Sequence, residues 1–327
     1  ERVLNLSESY FEVDEMKYES NVYKSDNVLK RYKEDNKLNY PLIYLKIDAI
    51  ELFRVDALKG MLKKETILGD DDVINVYISG IDSRGGINEV SRSDVNIIMS
   101  INKKTHNILM INTPRDYYVP LSISNGVRDK LTHAGVYGIE CSRNTLEMLY
   151  GIQIDYYVKV NFSGFEKIID SLGGVDVTLD YSATLSQAGN LTVHNGVNHF
   201  NGEQALAFAR ERYAYSDGDR QRGRNQMMIM EAAIKKACSP AIISNYTSVL
   251  SEVSKNVITD MSYDFIADLA QTQLNDMAAW NITQISVTGV GSYSSTTYSM
   301  PGWSLYIMVP DEESVENARE QIRDNYN

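Results

Sequence analysis

The chain is poor in the residues that cross-link or punctuate small extracellular folds: 327 residues hold 2 cysteines and 6 prolines. Cys141 and Cys238 lie far apart in no metal-like spacing, which excludes a disulfide-dense scaffold and a cysteine-built zinc site. Whether they pair in an oxidising compartment or stay separate thiols depends on proximity in space, and the sequence leaves both readings open. The 4 histidines, His106, His133, His194 and His199, form no zinc pattern. No Ser-His-Asp elbow and no phosphate-loop glycine motif is present, so ordinary hydrolase templates do not fit. No run approaches the ~20 apolar residues of a membrane span. The opening at Glu1 lacks a signal-peptide pattern, as expected of an excised soluble region. Basic residues number 32 against 44 acidic ones, a formal net charge of -12. That balance argues against nucleic acid as a partner, because such binding usually shows a basic domain or stripe.

What is present fits a globular protein: 43% apolar and 23% charged residues, with length enough for about two domains. The first stretch has no glycine until Gly60 and mixes PLIYLKI with KRYKEDNK, so residues 1–70 read as a small N-terminal accessory region. From Val73 the character changes, and residues 71–327 read as the main domain. VINVYISGID is a near-continuous apolar run ending in glycine and aspartate, the pattern of a buried strand. SDVNIIMSIN and NILMINTPRD follow as two more strands around the polar turn NKKTH, giving a meander. Further on, AGVYGIECSRNTLEMLYG reads as a helix, IDYYVKVNF as a strand, and SGFEKIIDSLGG as a helix with a Ser163/Glu166 capping box and a glycine stop. VDVTLD is a strand, helices are expected near 241–256 and 262–279, then strands ITQISVTG and WSLYIMV and a closing helix DEESVENAREQIR. Strands alternating with helices predict a three-layer α/β/α sandwich with a mixed central sheet.

Against the acidic background, ARERYAYSDGDRQRGRNQ concentrates Arg210, Arg212, Arg220, Arg222 and Arg224. Guanidinium forks bind phosphate bidentately and stay charged, so a cluster beside a helix start suits a polyphosphate. NGEQALAFAR predicts a helix ending near Arg210, and a second helix is expected to start near Asp219. At ~100° per residue that helix turns Met230, Ile234 and Ala237 inward, with Asp219 on the same face and Arg222 and Gln226 along its border. Arg220 and Arg224 point more sideways, near Lys235. Inward polar groups require a partner, which ranks Arg222 and Gln226 above Arg224 and Arg220 as phosphate ligands. Asp219 serves as helix cap, as a residue steering an arginine, or as both. In a meander the ends of the first and third strands and the start of the second share one edge, gathering Asp82, Arg84, Arg92, Asp94, Arg115 and Asp116. Asp82 and Asp94 near a phosphate site suit Mg²⁺, and the neighbouring arginines strengthen that expectation. Lys130, Thr132 and His133 precede a helix, where a lone histidine reads as structural.

Taken in order, SGIDSR, RSD, NTPRDYYVPL, KLTHAGVYG, GIQIDYYVKVNFSGFEKIIDSLGGVDV and NGEQALAFARERYAYSDGDRQRGRNQ resemble the LytR-CpsA-Psr phosphotransferases of the bacterial envelope, with capsule-assembly members nearest in appearance. The resemblance implies an extracytoplasmic domain on the outer face of the cell membrane of a Gram-positive bacterium, reached through an N-terminal anchor. It implies a hydrophobic tunnel for a polyprenyl (pyro)phosphate lipid and transfer of a lipid-linked glycopolymer onto peptidoglycan, with Mg²⁺ as cofactor and a possible pyrophosphatase side activity. Carried onto this chain, Asp82 and Asp94 would be metal ligands, and Arg115, Arg210, Arg212 and Arg222, with Gln226, would hold phosphate. Asp82, Asp94 and Arg115 form the expected catalytic set, and Arg84, Arg92 and Asp219 complete the expected head-group site. One departure is Asn225-Gln226 where many members carry Arg-Gln. A non-catalytic polyprenyl-phosphate binding module and a lipid pyrophosphate hydrolase are the competing readings.

Overall fold

The computed structural model describes residues 2–4, 43–45, 72–83, 86–186, 190–215, 218–243 and 246–326. The chain divides into two units, Glu1–Thr66 and Ile67–Asn327. In the first, β1 (Arg2–Leu4) and β2 (Ile43–Leu45) pair antiparallel.

The second unit opens with β3 (Val73–Ile81), β4 (Ser93–Asn102) and β5 (Asn107–Asn112), three antiparallel neighbours. A short ribbon of β6 (Tyr118–Pro120) and β7 (Arg128–Lys130) leads into α1 (Leu131–Ala134) and then α2 (Ile139–Tyr150). The helix expected over this whole stretch is interrupted because Gly138 adopts φ +104°, a conformation glycine takes at no steric cost. β8 (Tyr156–Asn161) returns parallel to β3, and α3 (Phe162–Ser171) follows. Next come β9 (Val175–Leu179), β10 (Ala183–Leu185), β11 (Leu191–Val193) and β12 (Gly196–Phe200), paired as two ribbons, and then α4 (Gly202–Arg210) and α5 (Asp219–Ala237). The remainder is α6 (Pro240–Ile243), α7 (Tyr246–Asn256), β13 (Val257–Thr259), α8 (Tyr263–Asp276), β14 (Asn281–Ser286), the hairpin β15 (Gly289–Ser294) with β16 (Leu305–Pro310), and α9 (Glu312–Asn325).

The central sheet runs β13-β8-β3-β4-β5-β14 and is mixed, with β3–β8 and β5–β14 parallel. Period-two alternation gives it two apolar faces. Tyr77, Ile98, Leu109 and Ile111 face α2 and α9, packing with Leu146, Tyr150, Val315 and Ile322. Val76, Ile78, Ile97, Ile108 and Met110 face α5 and α8, meeting Met227, Met230, Phe265 and Leu269. Ile97 and Ile98 are adjacent, both 0% exposed, and each contributes roughly 2 kcal/mol to a different layer. This is the three-layer α/β/α sandwich with a mixed sheet. A further cluster joins Ile169, Val175, Phe200, Phe208 and Ile229, seating the ribbons against α3, α4 and α5.

Two details depart from expectation. The capping box at Ser163 is replaced by Asn161, whose Oδ1 accepts from Gly164 N at 2.8 Å, so the helix starts two residues earlier. Asparagine at an extended strand end is as good a cap as serine, and Gly164 is wedged against α7, where a Cβ would meet Asn256 O at 2.4 Å. Ala237, at the end of α5, is exposed rather than inward. Both cysteines are free, and burial pushes the Cys238 thiol up. Among the described residues no helix is long and apolar enough to cross a membrane.

Candidate functional site

The β3–β4 register holds until Gly80 faces Val95, then slips: Ile81 faces Ser93. Asp94 is therefore the unmatched residue of a β-bulge, a device that re-aims one side chain. Strict alternation would point Asp94 and Val95 to opposite faces, yet both line the same cavity. Gly80 makes room for this, since a Cβ there would lie 2.7 Å from Val95 Cγ2.

That cavity, of about 160 Å³, lies over the β8-β3-β4 side of the sheet beneath α3, α4 and α5. Its charged wall brings together Asp82, Asp94, Arg115, Arg210, Arg212, Arg222 and Gln226; its apolar wall includes Ile78, Ile97, Val160, Phe162, Phe165, Leu206 and Met230. Several parts of the sequence converge there because α4 and α5 pack together and place both ends of the arginine segment above the β4 bulge.

The wall is held from behind. Arg115 Nη1 meets Asp94 Oδ2 at 2.5 Å, and Thr132 Oγ1 donates to Asp94 Oδ1 at 3.2 Å. Burial pushes the Asp94 carboxyl above its ordinary range; the Arg115 and Arg222 charges oppose this, and the Asp82 charge adds to it. Arg210 stacks its guanidinium over the Phe162 ring, 4.3 Å from the centroid, a cation–π contact that fixes its plane. Gln226 Nε2 donates to Ala209 O at 3.3 Å. The loop bearing Arg212 is organised by buried Glu211, whose Oε1 accepts from the backbone N–H groups of Arg212, Tyr213 and Ala214 at 2.9, 2.7 and 3.2 Å. Arg222 is buried on α5, while Arg220 and Arg224 are exposed.

A second cavity of about 390 Å³ lies over the β5-β14 side and shares Asp94, Arg115, Arg222 and Gln226 with the first. Arg220 and Arg224 line this second space and not the first. Asn225, the family departure, is fully buried, donating to Phe208 O at 2.9 Å and accepting from Gln221 Nε2 at 2.8 Å. It ties α5 to α4 and reaches neither cavity. Arg92 is exposed just before β4 and lines neither cavity. Arg84 lies outside the described residues, and so does the side chain of Asp219, although α5 does begin there. Asp116 pairs with Lys130 behind the wall.

Among the described residues, no group of three or more His, Cys, Asp or Glu side chains could hold a metal unaided. Asp82 and Asp94 nevertheless fit Mg²⁺ as phosphate sites use it, with one or two carboxylates and the remaining oxygens from substrate and water. The like charges at Asp82 and Asp94 oppose each other, and a cation between them relieves that.

Sequence reasoning left Thr132 unassigned and missed Glu211 as an organiser. It missed Phe165 and Leu206 as lining too. The i, i+3 phenylalanines of FSGF carried a signal, a helix stripe beginning at a strand end. Segments NIIMSI and YYVKVNF supply Ile97, Val160, Asn161 and Phe162.

Comparisons with known proteins give the chain's family and fold. The profile of the LytR_cpsA_psr family matches residues 17–309. The polyisoprenyl-teichoic acid–peptidoglycan teichoic acid transferase TagU of Bacillus cereus is 33% identical over 201 residues, 60% of this chain and 63% of TagU. The chain spans 60–63% of the length of this and the next curated relatives. B. subtilis TagV has a TM-score of 0.66 at 27% identity, covering 79% of this chain and 98% of TagV. TagT bound to LI-WTA has a TM-score of 0.62 at 26% identity, covering 78% of this chain and 91% of TagT.

Proposed function

The chain belongs to the LytR_cpsA_psr family, and from that premise we propose that it transfers an anionic glycopolymer of the teichoic-acid class from a polyprenyl-pyrophosphate carrier to peptidoglycan, on the outer face of the cell membrane. The observation that carries this reading is one cavity whose charged wall, with two carboxylates and four arginines, continues into an apolar chamber. A soluble sugar phosphate needs only the wall. A lipid-linked pyrophosphate needs both halves.

In the reaction, an acceptor hydroxyl oxygen attacks the phosphorus that carries the glycan. A new O–P bond forms, the phosphoanhydride P–O bond breaks, and the lipid phosphate leaves with the bonding pair; the hydroxyl proton passes to a carboxylate of the wall. Arg115 and Arg222, on the cavity wall, would stabilise the charge that develops on the leaving phosphate, as fixed donors in a desolvated site do strongly. Arg210, stacked on Phe162, and Arg212, on the Glu211-braced loop, would orient the pyrophosphate. Mg²⁺, when held by Asp82 and Asp94, would supply further positive charge to the phosphate oxygens. The apolar chamber excludes water from the lipid end.

Affinity for short prenyl pyrophosphates tests the reading. Each buried CH₂ contributes about 0.8 kcal/mol before ordering costs. Geranylgeranyl pyrophosphate should therefore bind clearly better than isopentenyl pyrophosphate, with Arg115→Ala weakening both by a similar factor. Affinity that is flat from isopentenyl to geranylgeranyl would reassign the arginines to a soluble phosphate. Product transferred to a peptidoglycan acceptor, rather than phosphate released to water, excludes the hydrolase and the pure binding module.

A further inference from the structure

Residues 277–310 contain no Asp, Glu, Lys, Arg or His, in a chain that is 23% charged and carries a net charge of -12. Both tryptophans of the molecule fall in that stretch, and its second half is the β15–β16 hairpin with the loop between the strands. Ile307 and Met308 are buried and root the hairpin in the protein. Four larger side chains beside them are exposed. Val290, paired with Val309, and Tyr293, paired with Tyr306, lie three residues apart along β15 and so on opposite faces of the hairpin. Val290 and Tyr293 are each 72% exposed. At the tip, Met300-Pro301-Gly302-Trp303 has the form of a type II turn: Gly302 adopts φ +87° and Trp303 N donates to Met300 O at 3.2 Å. Gly302 N donates to Ser295 O at 2.8 Å and Ser299 N to Asp129 Oδ2 at 2.7 Å. The fold thus fixes this turn and leaves Trp303 67% exposed.

Exposed apolar patches mark contacts with proteins or membranes. Apolar side chains on both faces of one hairpin suit immersion in a medium that surrounds it, whereas a second copy or another protein would cover one face. Tyr293 and Tyr306 meet edge to face, 80° apart, which offers no common plane on which a sugar ring could stack. Rings with an apolar body and a polar tip settle where lipid tails meet water. Charge acts in the same direction. An anionic bilayer surface repels so acidic a molecule, and an uncharged hairpin is the part that approaches it at least cost. We propose that the β15–β16 hairpin and its Trp303 turn dock into the interfacial layer of a phospholipid bilayer, a shallow contact driven by apolar burial rather than by headgroup charge. Thr288, just before β15, and Met308 on β16 line the second cavity, so a docked hairpin keeps that side of the site near the lipid surface. Docking of this kind needs no prenyl pyrophosphate and stands or falls apart from the transfer reading.

Vesicles of phosphatidylcholine, free of prenyl lipid, test this with the whole chain. Wild type should sediment with the vesicles, and W303S/Y293S should partition about tenfold less, with melting temperature and geranylgeranyl pyrophosphate affinity unchanged. In a W280F background, where Trp303 is the remaining tryptophan, emission should shift to the blue on vesicle addition and be quenched by brominated acyl chains. Phosphatidylglycerol added to the vesicles should weaken binding at low salt, and high salt should restore it. Failure to sediment, undiminished partition of the double variant, an unquenched Trp303 or tighter binding to phosphatidylglycerol overturns the proposal. So does vesicle binding that is lost together with geranylgeranyl pyrophosphate affinity, which would place the phospholipid in the apolar cavity. A Trp303 shift produced by chitotetraose would give the hairpin to a glycan, and a dimer in sedimentation equilibrium that W303S dissolves would give it to a second copy; either result overturns the bilayer assignment.

Discussion

Asp129 and Asp94, bonded to the neighbouring α1 residues His133 and Thr132, are treated in opposite ways by the fold. Asp129 is 0% exposed, and burial works to raise its pKa. Hydrogen bonds from His133 Nδ1 at 2.8 Å, Ser299 N at 2.7 Å and Lys130 N at 2.7 Å outweigh that and hold it below the ordinary range. Asp94 is less deeply buried, yet burial prevails over Arg115, Arg222 and Thr132, and its pKa is raised. Burial alone does not set the charge; the number and aim of the donors do. Thr132 donates to Asp94 while its neighbour His133 bonds to Asp129, so one short helix serves a carboxylate whose charge is favoured and a wall carboxylate whose charge burial disfavours. The first ties down the segment at Ser299. The wall keeps electrostatic capacity for what binds there.

The largest effect should come from breaking the wall. Arg222→Ala is expected to reduce single-turnover transfer about 10²- to 10³-fold, as when a donor to developing negative charge is removed. Arg224→Ala, exposed on the same helix and outside the first cavity, should leave single-turnover transfer much closer to wild type. Equal losses in single turnover would erase the distinction between buried and exposed arginines on α5.

Stability sharpens the contrast next. Asp129→Ala leaves the His133 ring and two backbone N–H groups without their acceptor and should lower unfolding free energy by roughly 2–4 kcal/mol. Asp94→Ala relieves a carboxylate whose charge the fold disfavours and should lower it far less, or raise it. Similar melting-temperature losses for both would refute the contrast. The pH dependence gives a smaller signal with a definite sign. A folded pKa below the unfolded one means that Asp129 contributes stability above the ordinary carboxylate value near ~3.9, lost as pH falls through its folded pKa. A raised folded pKa means the reverse for Asp94: its contribution is complete below the ordinary value and fades as pH rises through the folded one. Asp129→Asn should flatten the acid limb of a melting-temperature profile, which an unchanged profile would contradict. The smallest effect is expected of Thr132→Val, which removes one 3.2 Å hydrogen bond worth about 1 kcal/mol. Turnover should drop a few-fold with melting unchanged, and Thr132→Ser should restore it.

How far the sequence revealed these regions follows from the range of the interactions involved. The sheet and its helices were legible because VINVYISGI, NIIMSIN and NILMIN are near-continuous apolar runs, long enough to dominate local preference. The start of α5 near Asp219 and the inward turn of Arg222 were legible from helical spacing. The helix start at Asn161 was misread because serine and asparagine are equivalent caps, and contact with α7 decides between them. The bracing of Arg212 by Glu211 was not legible, since a glutamate in a basic segment reads as surface charge until the turn of backbone N–H groups around it is known. Thr132 needed the tertiary structure: it finds Asp94 only across 38 residues of chain.

The bulge at Asp94 has a consequence best put in terms of signal. An alternating strand is a carrier with a fixed phase, and an observer who knows the phase at Ile97 can infer which way every earlier side chain on the strand points. At Asp94 the phase slips by one residue, so the inference fails at the position where the chemistry is expected. The information that directs this carboxylate is thus held in a count of residues rather than in their identity. Substitutions along β4 can vary freely in side chain and preserve it, whereas insertion or deletion of a single residue between Ser93 and Val95 would scramble the message while leaving every letter legible.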